Sequence, residues 1–352
     1  MMILHSKPTI DDSDINVVVN VLTSGHLEDG ENVEILESAF RKKYNRKYAA
    51  AVSSGFSAIH LALISLEVGE NDEVIIPSYT CSALLNPILL LKAKPIIIDV
   101  DKDSFNISAD NLHKRISKRT KAIIVPHTFG FPAPIEEIIS LGIPVIEDCA
   151  QAIGGSFKGK LLGNFGQLSV FSFYASKMIC SGDGGMILTD NEQFIETIKN
   201  FRYYGHKKLH KYLAYNYHMT NLPAALANSQ LQKNNEFILK RKELASFYDE
   251  YFDNHPLIQT DFANKCEACF YRYPVRVGNK IDIIKFGMES EGVKCGYGVL
   301  EGMHQMLDLN DNNFPNTMNN LKSILSLPIY PTLKKEETEL IAEKLINLIE
   351  KL

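Results

Sequence analysis

The chain has 352 residues. At roughly 100 to 200 residues per domain, this length suggests two domains. The formal net charge of −5 and the pI near 6.1 give no cationic footprint of the kind that nucleic acid requires. The apolar run from 84 to 91 is far short of the roughly 20 residues of a membrane helix, and the first residues lack the pattern of a signal peptide. We therefore expect a cytoplasmic protein that binds neither nucleic acid nor membranes.

Predicted helices and strands alternate through the first two thirds of the chain. Helices are predicted at 11–21, which opens on an acidic cap, and at 32–44. Short apolar runs follow, and runs that are apolar on both faces are typical of a buried, mostly parallel sheet with crossover helices. Their bounds are 48–52, 73–76, 95–99, 122–125, 145–146, 168–173 and 185–188.

The last third of the chain has a different pattern. A long helix is predicted from 222 to about 246, and it could join two domains. We predict a large α/β domain with N-terminal helices at 1–235 and a smaller α+β domain at 236–352. Within the second domain, a strand is predicted at 270–277, helices near 281–291 and at 335–352, and an asparagine-rich loop at 310–320.

Polar side chains stand at the ends of two apolar runs and at the start of a predicted helix. Asp148 ends one run, Ser172 and Lys177 end a later one, and Ser54 and Gly55 precede a helical stretch. Pyridoxal phosphate needs a carboxylate at its pyridine nitrogen and a lysine amine for its Schiff base. Its phosphate suits a helix amino terminus, and ligands gather at the carboxyl ends of parallel strands. This order of residues predicts a pyridoxal phosphate enzyme in which Asp148 and Lys177 are catalytic.

Each of these residues has an ordinary structural interpretation when it stands alone. Asp148 could be a strand-end or cap residue, Lys177 a solvated lysine, and the Ser54 segment a simple loop. Their occurrence together, each beside a strand-like run, favours the cofactor site.

Further segments match a known family in order along the chain. The chain resembles the sugar aminotransferases of the DegT/DnrJ/EryC1/StrS family, which are fold-type I pyridoxal phosphate enzymes. The matching segments are 22–27, 54–58, 69–77, 95–101, 119–124, 147–152, 169–177, 202–205, 215–219 and 325–328.

The resemblance implies a role for each matching position. Lys177 would carry the cofactor, Asp148 would face the pyridine nitrogen, Ala150 would pack on the ring and Gln151 would lie beside the ring hydroxyl. The positions that would bind phosphate are Gly55, Phe56, Ser57, Ser172 and, from the neighbouring subunit of a homodimer with shared active sites, Asn216.

The resemblance also implies the reaction. An amino acid donor, by family precedent glutamate, would pass its amine to a keto sugar that is nucleotide-linked, in surface polysaccharide or amino-sugar biosynthesis. His127 and His304 match family motifs near the substrate. No metal site is predicted. Cys266 and Cys269 have the spacing of metal ligands, but no second such pair of cysteines accompanies them.

Three positions depart from the family pattern. One is Asp183, which stands in the glycine turn after the lysine where the family usually has Glu. Cys81 stands where relatives carry an aromatic ring that stacks on the cofactor, and His218 stands where many carry an arginine that meets the substrate diphosphate. His218 leaves open a cyclitol or another acceptor without a nucleotide, and Cys81 leaves open a cofactor-binding regulator without turnover. Lys177 argues against the sugar dehydratases of this fold, which replace this lysine with histidine.

Overall fold

A seven-stranded sheet forms the centre of the molecule. The computed structural model describes residues 2–204 and 213–352. The strands within those residues, numbered in chain order, are β1 (Tyr48–Val52), β2 (Glu73–Pro77), β3 (Lys94–Ile98), β4 (Thr120–Pro126), β5 (Val145–Asp148), β6 (Ser156–Phe157), β7 (Lys160–Leu161), β8 (Leu168–Ser172), β9 (Gly185–Thr189), β10 (Tyr273–Arg276), β11 (Gly296–Tyr297) and β12 (Ile324–Leu327).

The central sheet is mostly parallel. Its strands lie in the order β1, β9, β8, β5, β4, β2, β3, and β9 is antiparallel to both of its neighbours. The pairs β2 with β3, β2 with β4, β4 with β5 and β5 with β8 are parallel. The predicted α/β class is confirmed, and the carboxyl ends of β4, β5 and β8 meet at one edge of the sheet.

Helices cover both faces of this sheet. Within the described residues they are α1 (Asp12–Ser24), α2 (Glu31–Tyr44), α3 (Gly55–Ser65), α4 (Leu85–Leu90), α5 (Ala109–His113), α6 (Ile135–Ile139), α7 (Glu192–Arg202), α8 (Asn221–Phe252), α9 (Ile281–Ser290), α10 (Pro315–Ser323) and α11 (Lys335–Glu350). One buried apolar cluster contains side chains of α2 and α8, and another contains side chains of α3 and α7. Both faces of the strands are therefore buried, as their continuous apolar runs predict.

The 32-residue helix α8 connects the central sheet to the C-terminal part of the chain. Asp14 on α1 is fully buried, and its carboxylate accepts hydrogen bonds from Lys233 at 2.6 Å and Gln230 at 2.7 Å. Arg241, further along α8, is buried and donates to the carbonyl oxygens of Phe270 at 3.2 Å and Ile329 at 2.7 Å. The domain boundary predicted at residue 235 falls inside this helix and stays a prediction.

The C-terminal part contains a small antiparallel sheet in the order β10, β12, β11. Helices α9 and α11 pack on each other beside it, and their apolar side chains share a third buried cluster with β10 and β12. The strand predicted at 270–277 is shorter in the structure, where it spans Tyr273–Arg276.

The loop predicted at 310–320 is wrong, because most of this segment is helical. A 3₁₀ turn spans Asp311–Asn313, and α10 begins at Pro315, where a proline is tolerated since the first helical N–H has no intrahelical partner. The Asp99 carboxylate, which follows β3, accepts from the backbone N–H groups of Asn316 at 2.9 Å and Thr317 at 2.8 Å. The acceptor for the helix start lies more than 200 residues away, so local composition does not reveal it.

A search of the described residues for a membrane-spanning helix finds none that is both long and apolar enough.

Candidate active site

Asp148 and Ser172 are brought together by the ends of two neighbouring parallel strands. Each is the last residue of its strand, and Asp148 pairs in register with Val170, two residues before Ser172. Both are nearly buried, with exposed fractions of 7%. The predicted carboxylate and hydroxyl therefore share one edge of the sheet.

The Asp148 carboxylate is fixed on one side and open on the other. One of its oxygens accepts from the Ala150 N–H at 2.9 Å, and no described residue donates to the other. Burial raises the pKa of this carboxyl, while the Ala150 hydrogen bond and the nearby charge of Lys177 act in the opposite direction. A cationic ring nitrogen at the open oxygen would supply the missing donor and stabilise the ionised form.

Glu147 supports the strand end from the opposite face of the sheet. Its fully buried carboxylate accepts from the N–H groups of Gly163 at 2.7 Å and Gly166 at 2.6 Å, and from His127 Nε2 at 3.2 Å. Burial by itself would raise the pKa of Glu147, but these hydrogen bonds lower it. Glu147 and His127 lie close to Cys149, yet the carboxylate is already satisfied by protein donors and needs no metal.

The position of His127 corrects its predicted role as a substrate contact. The ring has no exposed surface, Nε2 bonds Glu147, and Nδ1 accepts from the Ala133 N–H at 3.1 Å. Both ring nitrogens are occupied, so His127 positions the end of β4 and offers no atom to a substrate.

Lys177 lies in a loop that closes on itself after β8. The Phe173 N–H donates to Gly184 O at 2.8 Å, the Ser181 N–H donates to Phe173 O at 2.8 Å, and the Lys177 N–H donates to Tyr174 O at 2.8 Å. Gly184 has a φ of +145°, and a Cβ there would meet Met219 Cε at 2.5 Å, so the turn requires glycine. Lys177 is half-buried, and this loop holds it five residues after Ser172 in the chain.

The amino terminus of α3 lies against Ser172. The approach is so close that a Cβ on Gly55 would lie 2.7 Å from Ser172 Cβ. Ser54 and Ser57 form a capping box that fixes this end, and no described residue accepts from the N–H groups of Gly55 and Phe56. These free donors and the Ser172 hydroxyl make a cradle for a phosphate.

Ser57 has a different place from the one predicted. It is buried, its N–H donates to Ser54 Oγ at 3.1 Å, and its own Oγ bonds the Ser54 N–H at 2.9 Å. Ser57 therefore shapes the helix start, while the free donors are those of the two residues before it.

A cavity of about 330 Å³ opens beside this edge of the sheet. Cys81 is exposed in its wall, and Gln151 lines it with its Oε1 anchored by the Phe129 N–H at 2.6 Å. Thr128 also lines it, and the buried Thr128 Oγ1 has no hydrogen-bond partner among the described residues. The side-chain nitrogen of Gln151 and this hydroxyl are available to a ligand.

His304 lies near this cavity but is not part of its wall, which corrects its prediction as a substrate contact. The ring is fully buried, stacks on Phe314, and bonds Ser78 Oγ through Nδ1 and Asp311 at 3.1 Å through Nε2. Burial lowers the pKa of His304, against the opposing effect of Asp311. His304 thus fixes the loop after β11.

His218 and Asn216 lie on a segment that runs beside the phosphate cradle. His218 forms a backbone bridge with Val52, and its ring centre lies 4.2 Å from that of Tyr203. Its buried Nδ1 has no hydrogen-bond partner in the part of the chain that the structure describes. Asn216 is exposed, and its predicted reach into a neighbouring subunit stays a prediction. Residues 205–212, which precede this segment, lie outside the described residues.

Tyr271 and Arg272 complete the surroundings of Lys177, and sequence reasoning missed both. Lys177 Nζ lies 5.1 Å from the centre of the Tyr271 ring, and Arg272 donates to the Tyr271 hydroxyl at 3.1 Å. Both lie within the predicted strand 270–277. The one sequence signal of a polar site there is a tyrosine and an arginine placed among apolar residues.

The arrangement fits pyridoxal phosphate. An amine, an open carboxylate oxygen and a phosphate cradle occur at one edge of the sheet, at Lys177, Asp148 and the Gly55 segment. Lys177 has the amine for the Schiff base, Asp148 has a carboxylate for the pyridine nitrogen, and the Gly55 segment has N–H donors for the phosphate. The fold and the site together define a pyridoxal phosphate-dependent aminotransferase.

Comparisons with known proteins give the particular family. The family model described as the DegT/DnrJ/EryC1/StrS aminotransferase family matches residues 8–346, so the chain belongs to this family. The predicted family, enzyme class and cofactor are confirmed.

Individual relatives differ in what they share with the chain. GDP-perosamine synthase of Escherichia coli O157:H7 is 37% identical over 227 residues, which are 62% of this chain and 62% of that protein. The solved structure of PseC from Helicobacter pylori, an aminotransferase involved in the biosynthesis of pseudoaminic acid, has a TM-score of 0.90 and 25% identity, with 100% of both chains covered. The aminotransferase TlmJ from Streptoalloteichus hindustanus has a TM-score of 0.95 at 24% identity over 100% of both chains, which shows the shared fold.

Proposed function

We propose that this enzyme moves an amino group from L-glutamate to a nucleotide-linked keto sugar in surface polysaccharide or amino-sugar biosynthesis. The observation that carries the proposal is the convergence of Lys177, Asp148 and the free N–H groups of Gly55 and Phe56 at one edge of the sheet. The similarity to GDP-perosamine synthase and PseC supports a sugar as the acceptor.

Lys177 and Asp148 act at opposite ends of the bound ring in this proposal. Pyridoxal phosphate, when bound, supplies an electron sink for the donor carbon. The open oxygen of Asp148 would keep a proton at the ring nitrogen, and its negative charge would stabilise the ring cation that accepts the electrons of the donor carbon. Lys177 Nζ would move a proton from the donor α-carbon to the bound cofactor in the first half of the reaction, and from the cofactor to the acceptor carbon in the second half.

The phosphate and the ring hydroxyl would be held by groups that do not react. The N–H groups of Gly55 and Phe56, with the Ser172 hydroxyl, bind the phosphate at the start of α3. The Gln151 amide nitrogen lies beside the ring hydroxyl, while its oxygen is held by Phe129. Because these groups are fixed by the sheet and the capping box, they orient the cofactor before substrate arrives.

The active unit in this proposal is a homodimer with shared active sites. Asn216 is exposed, and the segment around it is tied to the phosphate loop because the Ser53 N–H donates to Tyr217 O at 2.7 Å. In the proposed dimer, Asn216 would contact the phosphate bound by the neighbouring subunit. Dilution that separates the subunits should then remove activity.

A second acceptor class is favoured by one observation. The ring of His218 packs on Tyr203 and its Nδ1 is buried, so it does not replace the guanidinium that relatives direct at a diphosphate. An acceptor without a nucleotide, such as a keto cyclitol, would need no such charge.

The test is a screen of acceptors with the purified, cofactor-loaded protein. L-glutamate is supplied with nucleotide-linked keto sugars in one set of reactions and with keto cyclitols in another, and 2-oxoglutarate and the aminated product are measured by mass spectrometry. We expect equal amounts of both products with a nucleotide-linked sugar and none with Lys177→Ala.

Turnover with cyclitols alone would replace the nucleotide-linked acceptor by the second class. A protein that binds the cofactor tightly but exchanges amines with no amino acid would instead be a regulator, and the proposed function would fail.

A further inference from the structure

Arg272 carries a positive charge that no acid of the described residues neutralises, and it contacts the same Tyr271 ring as Lys177. Its half-buried guanidinium lies over the Tyr271 ring, 4.4 Å from the ring centre, and donates to the Tyr271 hydroxyl at 3.1 Å. No carboxylate of the described residues lies within ion-pair distance of it. A guanidinium has five N–H donors, so most of its hydrogen-bonding capacity is unused.

The backbone around Arg272 is held firmly from three sides. The Arg272 N–H donates to Phe129 O at 3.4 Å, and the Cys269 N–H donates to Gly130 O at 3.0 Å. The buried Arg241 donates to the carbonyl oxygens of Phe270 and Tyr271. The guanidinium therefore starts from a fixed backbone, which reduces the entropy lost when it binds a ligand.

The surroundings of Arg272 are positive overall. Burial would raise the pKa of Tyr271, but the charges of Lys177 and Arg272 outweigh it and lower this pKa to about 8. The pKa of Arg241 is lowered to about 10, mainly by burial and next by the charge of Arg272. Burial and then Arg272 are also the two largest causes that lower the pKa of His5 to about 3. Three separate groups thus respond to the charge of Arg272, which forms no ion pair within residues 2–204 and 213–352.

The place of this charge indicates what kind of anion it binds. Tyr271 joins Arg272 to the Lys177 segment, since its hydroxyl also lies 3.4 Å from Ser176 Oγ and its ring lies under Lys177 Nζ. An amino acid donor brings its amine to the position of Lys177 Nζ, and its carboxylate is attached to the same carbon. A guanidinium binds a carboxylate through two parallel hydrogen bonds.

We propose that Arg272, positioned by Tyr271, binds the carboxylate of the amino donor. The inference rests on the proposed function and adds to it the group that recognises the donor. A keto sugar has no carboxylate at its reacting carbon, so Arg272 serves the donor half of the reaction and not the acceptor half. Arg272 is then a specificity-determining residue for amino acids.

The first experiment measures the donor half-reaction with L-glutamate in cofactor-loaded protein. Loss of the visible absorption band of the lysine-bound cofactor is followed against glutamate concentration for the wild type, Arg272→Gln and Arg272→Lys. We expect Arg272→Gln to raise the half-saturating glutamate concentration by about 10- to 100-fold, since a charge-assisted pair is lost, and to change the maximal rate far less. Arg272→Lys keeps the positive charge but cannot form the two parallel hydrogen bonds. Its half-saturating concentration should therefore lie between those of the wild type and Arg272→Gln.

The matched control is Arg115→Gln. Arg115 is exposed and lines a different cavity from the one at Cys81 and Gln151, so this variant loses the same charge without touching the site. Its half-saturating concentration should equal that of the wild type within about twofold. Equal values for Arg272→Gln and Arg115→Gln would overturn the proposal.

The second experiment measures binding of glutarate, an unreactive dicarboxylate, by calorimetry with and without added cofactor. We expect weaker binding to Arg272→Gln than to the wild type and Arg115→Gln in both states. Absence of the visible band in the wild type would overturn the proposed function. The role of Arg272 is tested separately, and it would be overturned if Arg272→Gln bound glutarate as tightly as the wild type. A loss of affinity for uridine diphosphate with unchanged glutarate binding would also overturn it, because the guanidinium would then serve a nucleotide.

Discussion

The two sides of the active site are built in different ways. The proposed cofactor side consists of Gly55 at the start of α3, Asp148 and Ser172 at strand ends of the central sheet, and Lys177 in the loop after β8. The substrate side consists of loops from the C-terminal part, among them Arg272 and the cavity wall at 298–301. Asp148 and Ser172 on the first side are each 7% exposed, whereas Leu300 on the second is 83% exposed.

This difference separates chemistry from specificity. Groups that hold one unchanging cofactor benefit from rigid elements, because preorganised donors need no rearrangement during the reaction. Groups that face the substrate lie on loops, which can vary without disturbing the sheet. We therefore expect changes on the cofactor side to abolish reaction with every substrate, and changes on the substrate side to alter selectivity.

Replacing Lys177 should have the largest effect. Lys177→Ala removes both the covalent anchor and the proton carrier, so turnover should be lost with all donors while part of the phosphate affinity remains. Turnover is measured as 2-oxoglutarate formation, and cofactor binding by calorimetry. Substantial residual transamination would mean that another amine does this work.

Asp148→Asn should reduce the rate by about a hundred- to a thousandfold, the usual cost of a lost electrostatic contact in the transition state. The amide has nearly the same shape, so the cofactor should still bind and the fold should be kept. The single-turnover rate with L-glutamate checks this. A rate near that of the wild type would place the partner of the ring nitrogen elsewhere.

Gly55→Ala should weaken cofactor binding about tenfold or more. The added Cβ would lie 2.7 Å from Ser172 Cβ and push the start of α3 away from the phosphate, and such overpacking costs about 1–3 kcal/mol. Gly69→Ala is the control, because its Cβ meets nothing within 4 Å. Cofactor titration of both variants gives the comparison, and equal dissociation constants would contradict the close approach.

The pH dependence on the substrate side should be smaller, a several-fold effect. Lys177, Arg272, Arg241 and the Ser176 hydroxyl surround Tyr271, whose pKa of about 8 means that its hydroxyl is neutral below this pH and charged above it. The phenolate then neutralises Arg272, so attraction for the donor carboxylate should fall as pH rises through about 8.

The variant Tyr271→Phe isolates this effect, because both proteins share the ionisation of glutamate itself. The ratio of half-saturating glutamate concentrations, wild type over Tyr271→Phe, should rise between pH 7 and 9. A constant ratio would show that Tyr271 does not control the charge at Arg272.

The sequence predicts the sheet well because its signals are local. Strand β1 has the predicted bounds, and the other six central strands agree to within about two residues at each end, since apolar runs and turn residues mark them. Helix α10 was missed because Asp99 caps it from a distant strand. Pairings between remote segments are not visible in a local pattern.

The site follows the same division. Asp148 and Ser172 stand at strand ends that the pattern reveals, Lys177 follows in the loop after β8, and the structure brings all three to one edge of the sheet. His127 and His304 were assigned to substrate from motifs, but their ring nitrogens are satisfied by Glu147, Ala133, Ser78 and Asp311. Whether a histidine faces a cleft or the interior depends on tertiary packing, which sequence position does not report.

The measurement that tests the account most directly is the visible spectrum of the wild-type protein with pyridoxal phosphate, before and after excess L-glutamate without an acceptor. The account predicts a visible band of the lysine-bound cofactor that disappears on addition of glutamate, with one 2-oxoglutarate formed per site. No visible band would contradict Lys177 as the anchor, and a band that no amino acid changes would contradict transamination.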